Sequence, residues 1–233
     1  MVITKCLENY SSEYFIGMFG FNPDMDEEES YNRGKAFLER YAMNDAVYKN
    51  ECLTVMRQIF KQSPSEMFRI HHHSAYDMFQ DRFHLFVNIG GTLFGEDDYT
   101  LIQAIGKSFG DKYWYIVEDE TCEQDVDVAF KLRFPIDISW QELISGGCIS
   151  DVVFNMFHNN YYVFGDSGCW GRWSDCENSW CDYELFGYIK DNEFVQKYKA
   201  WGAKSAKQWA DYCNSEDFPQ TLSRLLNTIV EKE

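Results

Sequence analysis

The chain has 233 residues, of which 45% are hydrophobic and 18% aromatic, so it can build one sizeable core and does not resemble a disordered protein. Its net charge of −17 and its lack of basic patches with interleaved aromatics argue against nucleic-acid binding and favour a basic partner. The excess lies ahead of the C-terminal tail, because residues 190–233 hold seven charges of each sign. A simpler interpretation is that the acidity only keeps the protein dispersed in water.

The N-terminal sequence and the cysteines bear on the cellular compartment. Residues 1–15, MVITKCLENYSSEYF, lack the basic and then apolar order of a signal peptide. No apolar run approaches the roughly 20 residues of a membrane span. The eight cysteines are scattered along a chain too large to need disulfides, which is typical of reduced, buried thiols. We therefore expect a cytoplasmic protein that does not associate with a membrane.

The first half of the chain predicts one long helix, followed by strands and helices in mixed order. Residues 1–22 alternate weakly, as a strand or short hairpin would. Glu28–Lys61 carries one apolar stripe at steps of three, four and seven residues, which predicts an amphipathic helix. Asn44 and Asp45 could divide that helix, and Pro64 ends it. Five further segments predict, in order, a strand, a helix, two strands and a short helix: Phe83–Ile89, Asp97–Phe109, Tyr113–Val117, Val126–Phe134 and Ser139–Ile144.

The second half of the chain contains a predicted hairpin and then helices. Tyr161–Phe164 and Tyr183–Ile189 predict strands, and between them lies a turn-rich loop that carries Trp170, Trp173 and Trp180. Val152–Phe157, ahead of this hairpin, predicts either a short strand or a helix. Three helices are predicted after it: Asn192–Gly202, Ser205–Asn214 and Asp217–Glu231.

The order of these elements predicts the fold class. The strands run together rather than in regular β-α-β alternation, which favours an α+β fold with a mostly antiparallel sheet. The long N-terminal helix and the C-terminal helices would flank that sheet. We expect a single α+β domain over residues 1–233, with residues 1–80 as an N-terminal helical subregion.

The tetrapeptide GDSG at residues 165–168 resembles the nucleophile motif of chymotrypsin-type serine proteases. A catalytic triad also needs a base positioned by a carboxylate, and the alanine-alanine-histidine-cysteine signature of that family is absent. Cys169 and Trp170 follow the motif, where the family has glycine and proline. A turn explains the motif better, with Asp166 binding the backbone and the glycines taking positive φ.

Two groups of side chains could hold a metal. On a strand, His71 and His73 would face the same way and His84 could add a third ligand, which makes a metal-dependent hydrolase the alternative function. A plainer interpretation of the histidines is an exposed polar stretch. The second group consists of Cys169, Cys176 and Cys181. Their spacings of six and four residues differ from those of structural zinc, so we assign no metal ligand and no cofactor.

Residues 161–189 have the composition of a recognition surface, with nine aromatic residues, five carboxylates and a single base, Arg172. Trp170 and Trp173 either pack under the hairpin or form an exposed aromatic surface inside an acidic rim. The second arrangement would fit a basic protein partner. The candidate partner-binding residues of this stretch are Asp166, Trp170, Trp173, Asp175, Glu177 and Glu184. A second acidic patch consists of Glu118, Asp119 and Glu120.

Three segments within residues 113–200 resemble the immunity proteins of bacterial polymorphic-toxin systems: FPIDISWQELISGG, YYVFGDSGCWGRW and YELFGYI. Those proteins are often acidic α+β proteins with an aromatic strand, a Gly-Trp-Gly turn and a closing strand. The resemblance implies a non-enzymatic cytoplasmic protein that binds a cognate toxin tightly, often a basic nuclease, and blocks its active site. The cysteines of the loop depart from that pattern. A structural or assembly subunit is a third hypothesis.

Overall fold

The computed structural model describes residues 26–61, 78–89, 94–118, 130–155, 161–175 and 183–201. The helical elements are α1 (Glu27–Tyr41), α2 (Asp45–Val47), a π-helical turn (Tyr48–Cys52), α3 (Leu53–Ile59), α4 (Glu96–Phe109), α5 (Trp140–Leu143), α6 (Cys148–Asn155) and α7 (193–201). The strands are β1 (His84–Ile89), β2 (Tyr113–Glu118), β3 (Lys131–Pro135), β4 (Tyr161–Gly165), β5 (Trp170–Asp175) and β6 (Tyr183–Tyr188). Four predicted features lie outside the described residues: the strand or hairpin in 1–22, the histidines at 71–73 and the helices Ser205–Asn214 and Asp217–Glu231.

The six strands form one antiparallel sheet in the order β1-β6-β5-β4-β2-β3. This sheet and its helices confirm the predicted α+β fold. The prediction of a turn-rich loop between the hairpin strands is wrong in one part, because Trp170–Asp175 forms the central strand β5. Glycine suits position 171 of this strand because a Cβ there would lie only 2.8 Å from Ile59 Cγ2 and from Phe60 Cζ.

The predicted long helix is divided near the expected position. Asp26 caps α1, since its Oδ1 accepts a hydrogen bond of 3.0 Å from the backbone N–H of Glu29. The chain becomes extended at Ala42, and Asn44 then caps α2 by accepting from the N–H of Val47 at 2.9 Å. Side-chain caps on both helices therefore fix the break that Asn44 predicted.

The predicted helix that Gly110 stops is present as α4. Its first turn consists of three acids, which suit the positive end of a helix dipole. Gly110 takes φ 83°, a left-handed conformation that glycine adopts without strain. The short helix α5 also begins as predicted, because Ser139 Oγ accepts from the N–H of Glu142 at 3.1 Å.

Helices cover both faces of the sheet. Face A, which carries Ile116, Val163 and Phe186, packs against α1, α4, α6 and α7. Face B, which carries Tyr162 and Phe164, packs against the helices of residues 45–59 and against residues 78–83. The core therefore lies in two layers, one on each side of the sheet, and the central strands β4, β5 and β6 are covered on both faces.

The two ends of the sheet differ in composition. Neighbouring strands are antiparallel, so β2 and β5 end where β4 and β6 begin. Helix α4 begins at the same end, since Asp98 of its first turn reaches Arg172 of β5. We call this the acidic end and define it by Glu96, Asp97, Glu118, Asp175 and Glu184. The opposite end, here called the turn end, is defined by Asp111, Asp166 and Ser167.

Candidate functional site

The acidic end brings together Glu118 and Asp175, one residue from each predicted acidic patch, which are more than 50 residues apart in the sequence. Glu118 is the last residue of β2, and Asp175 is the last residue of β5. Both strands pair antiparallel with β4, so they run in the same direction and finish at the same end. The topology of the sheet thus places the ends of β2 and β5, which belong to separately predicted acidic patches, in one region.

The connections between strands add negative charge at this end. The segment 119–129, which joins β2 to β3, contains five acids and no base, and the segment 176–182, which joins β5 to β6, contains two acids and no base. Asp119, Glu120 and Glu177 belong to these segments and lie outside the described residues, as does the side chain of Asp175. Their contact with a partner stays a prediction.

Two carboxylates of the acidic end are buried, contrary to the expectation that they form a surface. Glu118 is 4% exposed, and its Oε2 accepts from the backbone N–H of Phe130 at 2.8 Å. Glu184 is 2% exposed and forms an ion pair with Arg172. These two residues therefore shape the end of the sheet from within, and the exposed described acids there are Glu96 and Asp97.

The two tryptophans of β5 are core residues. Trp170 is fully buried on face A, where its ring is parallel to that of Phe186, with 6.0 Å between the centroids. Trp173 is buried on face B beside Tyr162 and Leu185. Of the two arrangements that the sequence allowed, packing is the correct one, because β5 is a central strand covered on both sides. Neither ring is an exposed anchor for a partner.

Asp166 lies at the turn end, away from the other predicted residues. Its Oδ1 accepts from the backbone N–H of Lys112 at 2.9 Å, and Gly168 takes φ 67°. The GDSG segment is therefore a turn, as its composition predicted, but Gly165 ends β4 without the positive φ that was expected of both glycines. The side chain of Asp166 is partly exposed, but it does not belong to the acidic end.

A buried ionic cluster, here called the Arg172 cluster, lies directly inside the acidic end. Its members are Arg172, Glu184, Asp98 and Tyr198. Arg172 Nη2 pairs with Glu184 Oε2, and Nη1 lies 3.5 Å from Asp98 Oδ2. The Tyr198 hydroxyl donates to Glu184 Oε1 at 2.6 Å. The guanidinium also lies 4.7 Å from the ring centroid of Phe94, a cation–π distance.

The Arg172 cluster contains one cation and two carboxylates, which sets its electrostatics. Burial raises the pKa of Asp98 to about 6, although the positive charge of Arg172 acts in the opposite direction. Burial by itself would lower the pKa of Arg172, but the negative charge of Glu184 outweighs it and raises that pKa. Burial also raises the pKa of Tyr198 well above its usual value, so the hydroxyl stays a proton donor.

The sequence offered one signal for this cluster, which our predictions missed. Arg172 is the only base in residues 161–189, and it alternates with the aromatic side chains of a strand. A lone arginine on the covered face of a strand requires a buried carboxylate. Its two partners could not be identified from the sequence, since one is 12 residues and the other 74 residues away.

A second buried carboxylate, Asp111, lies at the turn end. Its Oδ1 accepts from the N–H of Ser167, and its Oδ2 accepts from Trp170 Nε1, both at 2.6 Å. A Cβ at Gly165 would overlap this carboxylate, so the glycine makes room for it. Burial raises the pKa of Asp111 to about 6, against the hydrogen bonds from Ser167 and Trp170. Among the described residues, the donors that bind Asp111 and fix the turn are therefore neutral.

Most of the predicted metal-binding side chains lie outside the described residues, so the two metal-site hypotheses stay predictions. His84 begins β1 with its ring 5.5 Å from that of Tyr188, while His71 and His73 lie outside the described part of the chain. Cys169 is a free thiol, and Cys176 and Cys181 are likewise outside it. Within the described ranges, no three His, Cys, Asp or Glu side chains are grouped so that they could hold a metal ion.

Comparisons with protein-family models, with curated proteins and with solved structures find no match to this chain. Among the helices of the described residues, none has the length and apolar character needed to cross a bilayer.

Proposed function

We propose that this chain is a non-enzymatic protein-binding module that presents the acidic end of its sheet to a basic protein. In line with the resemblance of its central segments, the most specific form of this proposal is a cytoplasmic immunity protein that neutralises a basic toxin. The observation that supports it is that β2 and β5, each followed by an acidic connection, finish at the same end of a sheet covered on both faces.

The acidic end has properties that suit electrostatic recognition. Glu96 and Asp97 are exposed in the first turn of α4, and the neighbouring connections at 119–129 and 176–182 contain seven acids and no base. One base, Lys131, begins β3 at this end, and its ammonium lies 4.8 Å from the ring centroid of Tyr48. A local excess of one charge accelerates association with an oppositely charged partner and makes it sensitive to salt.

The test uses a charge-reversal pair and a matched control pair. Glu96→Lys with Asp97→Lys reverses two charges in the first turn of α4 at the acidic end. Asp191→Lys with Glu193→Lys makes the same change in charge near the start of α7, where Asn192 Nδ2 bonds Ser108 Oγ beyond the turn end. The partner to be tested is a basic toxin domain, sought among the genes that neighbour the gene of this chain.

Binding kinetics distinguish the outcomes. At about 0.05 M salt, the pair at the acidic end should slow association on the order of tenfold, while the control pair should change it by less than about threefold. The difference should shrink at about 0.5 M salt, where charges are screened. Equal effects of the two pairs would reject the acidic end as the binding surface. The immunity proposal itself would be rejected if the wild-type chain failed to bind that domain. It would also be rejected if the chain failed to restore the growth of cells that express the toxin domain.

A further inference from the structure

We propose that the Arg172 cluster is a proton-linked latch for α7: uptake of one proton by Asp98 fastens residues 193–201 onto face A, and its release loosens them. The latch is independent of any partner, because all its parts belong to the chain.

Charge balance within the cluster is the first reason. With Asp98 ionised, the cluster holds two negative charges and one positive charge, with Arg172 and Glu184 buried and the side chain of Asp98 only 16% exposed. With Asp98 neutral, a balanced pair of Arg172 and Glu184 remains beside an uncharged acid. A buried group with unbalanced charge is costly, so the cluster favours the state with one more proton.

The hydrogen bonds of the cluster single out Asp98 as the member that takes the proton. Glu184 has the close pair with Arg172 and the short bond from Tyr198. Asp98 has a longer contact to the guanidinium, and its Oδ1 accepts no hydrogen bond from the described residues, although the Tyr198 hydroxyl also acts on the Asp98 carboxyl and lowers its pKa. The raised pKa of Asp98 agrees with this geometry. The charged and titratable groups that bear on Asp98 in the described part of the chain are Arg172 of β5, Glu184 of β6 and Tyr198 of α7.

Tyr198 connects helix α7 to the cluster. Tyr198 is 1% exposed, its hydroxyl enters the cluster, and its ring packs against Phe86 and Phe186 with centroids 5.9 and 5.0 Å away. Lifting α7 removes this donor and admits water to the carboxylates. Water stabilises the ionised form of Asp98, so ionisation favours the lifted helix and protonation favours the packed one.

The sign of the pH dependence follows from this linkage. A carboxyl group whose pKa is raised in the packed state contributes stability that is fully present below its usual pKa of 3.8 and is lost as the pH rises through about 6. Between about pH 7.5 and about pH 5, the opening equilibrium of α7 should therefore fall by about tenfold. Hydrogen exchange of residues 193–201, corrected for intrinsic rates, measures this quantity.

Substitutions assign the effect to the cluster. Asp98→Asn keeps the shape of the side chain without its titration and should abolish the pH response of residues 193–201. Asp97→Asn removes an exposed neighbour, and Asp111→Asn removes the buried carboxylate of the turn end. Both of these variants should retain the response. Should Asp98→Asn fail to fold, Tyr198→Phe gives a second test: it keeps the ring, removes the donor and should reduce the pH response of α7.

Three results would overturn the latch. The first is wild-type protection of residues 193–201 that does not change between about pH 5 and about pH 7.5. The second is an unchanged response in folded Asp98→Asn, and the third is loss of the response in Asp97→Asn or Asp111→Asn.

Discussion

The two buried carboxylate networks of this protein lie on the same face of the sheet and satisfy their charge in different ways. At the acidic end, Glu184 and Asp98 surround the guanidinium of Arg172. At the turn end, Asp111 is held by a backbone N–H and an indole N–H, with no cation in the contacts described for it. The first network depends on a counter-charge, whereas the second depends on neutral donors. They should therefore respond differently to the loss of one member.

Removal of Arg172 should have the largest effect. Arg172→Met leaves Glu184 and Asp98 buried without their cation, and breaking such a pair costs about 3–5 kcal/mol. Urea unfolding at neutral pH measures the loss. The matched control is Arg40→Met, because Arg40 pairs with Glu142 at 2.6 Å on the surface, where a pair contributes about 0–1 kcal/mol.

A second substitution tests whether the cost arises from uncompensated charge. Adding Glu184→Gln to Arg172→Met removes one of the two orphaned carboxylates and should recover at least about 1 kcal/mol. A loss from Arg172→Met no larger than that from Arg40→Met would show that the buried cluster does not require its cation, and the contrast between the two networks would fail.

Loss of Asp111 should have a smaller effect. Asp111→Ala leaves the Trp170 Nε1–H and the Ser167 N–H without their acceptor, at a cost of about 2–3 kcal/mol by urea unfolding. Asp111→Asn keeps one acceptor and should cost about 1 kcal/mol. At the same neutral pH, Asp98→Asn should be close to neutral or stabilising, since it removes a charge that has few partners. A larger cost for Asp98→Asn than for Asp111→Asn would reverse the proposed roles of the two aspartates.

Helix α4 and strand β5, which carry Asp98 and Arg172, show how far the sequence predicts this structure. Helix α4 and its end at Gly110 follow from apolar spacing and a glycine, both of which are local signals. The central strand β5 was missed because Gly171, Ser174 and Asp175 give its segment the composition of a turn. It is a strand because β4 and β6 pair with it on both sides, and this pairing is set by the whole sheet.

The acidic side chains show the same limit in the candidate site. Glu118 and Glu184 were expected at the surface because charged residues are seldom buried. The structure buries them, one beside a backbone N–H and the other beside Arg172. Such partners come from distant positions, and composition does not reveal them. In contrast, the shared position of Glu118 and Asp175 at one end of the sheet follows from the strand order alone.

Charge reversal after β5 should have the smallest effect on stability and therefore tests function most cleanly. Asp175→Lys with Glu177→Lys changes the last residue of β5 and the connection that follows it, and neither side chain lies in the described part of the chain. We expect the free energy of unfolding to change by no more than about 0.5 kcal/mol, as for most surface substitutions. Binding to the basic toxin domain should weaken, with the loss largest at low salt. The Asp191→Lys and Glu193→Lys pair is again the control. Unfolding of the reversed variant would instead make this segment a structural part of the sheet, and the acidic end would then have to bind through the first turn of α4 and the connection after β2.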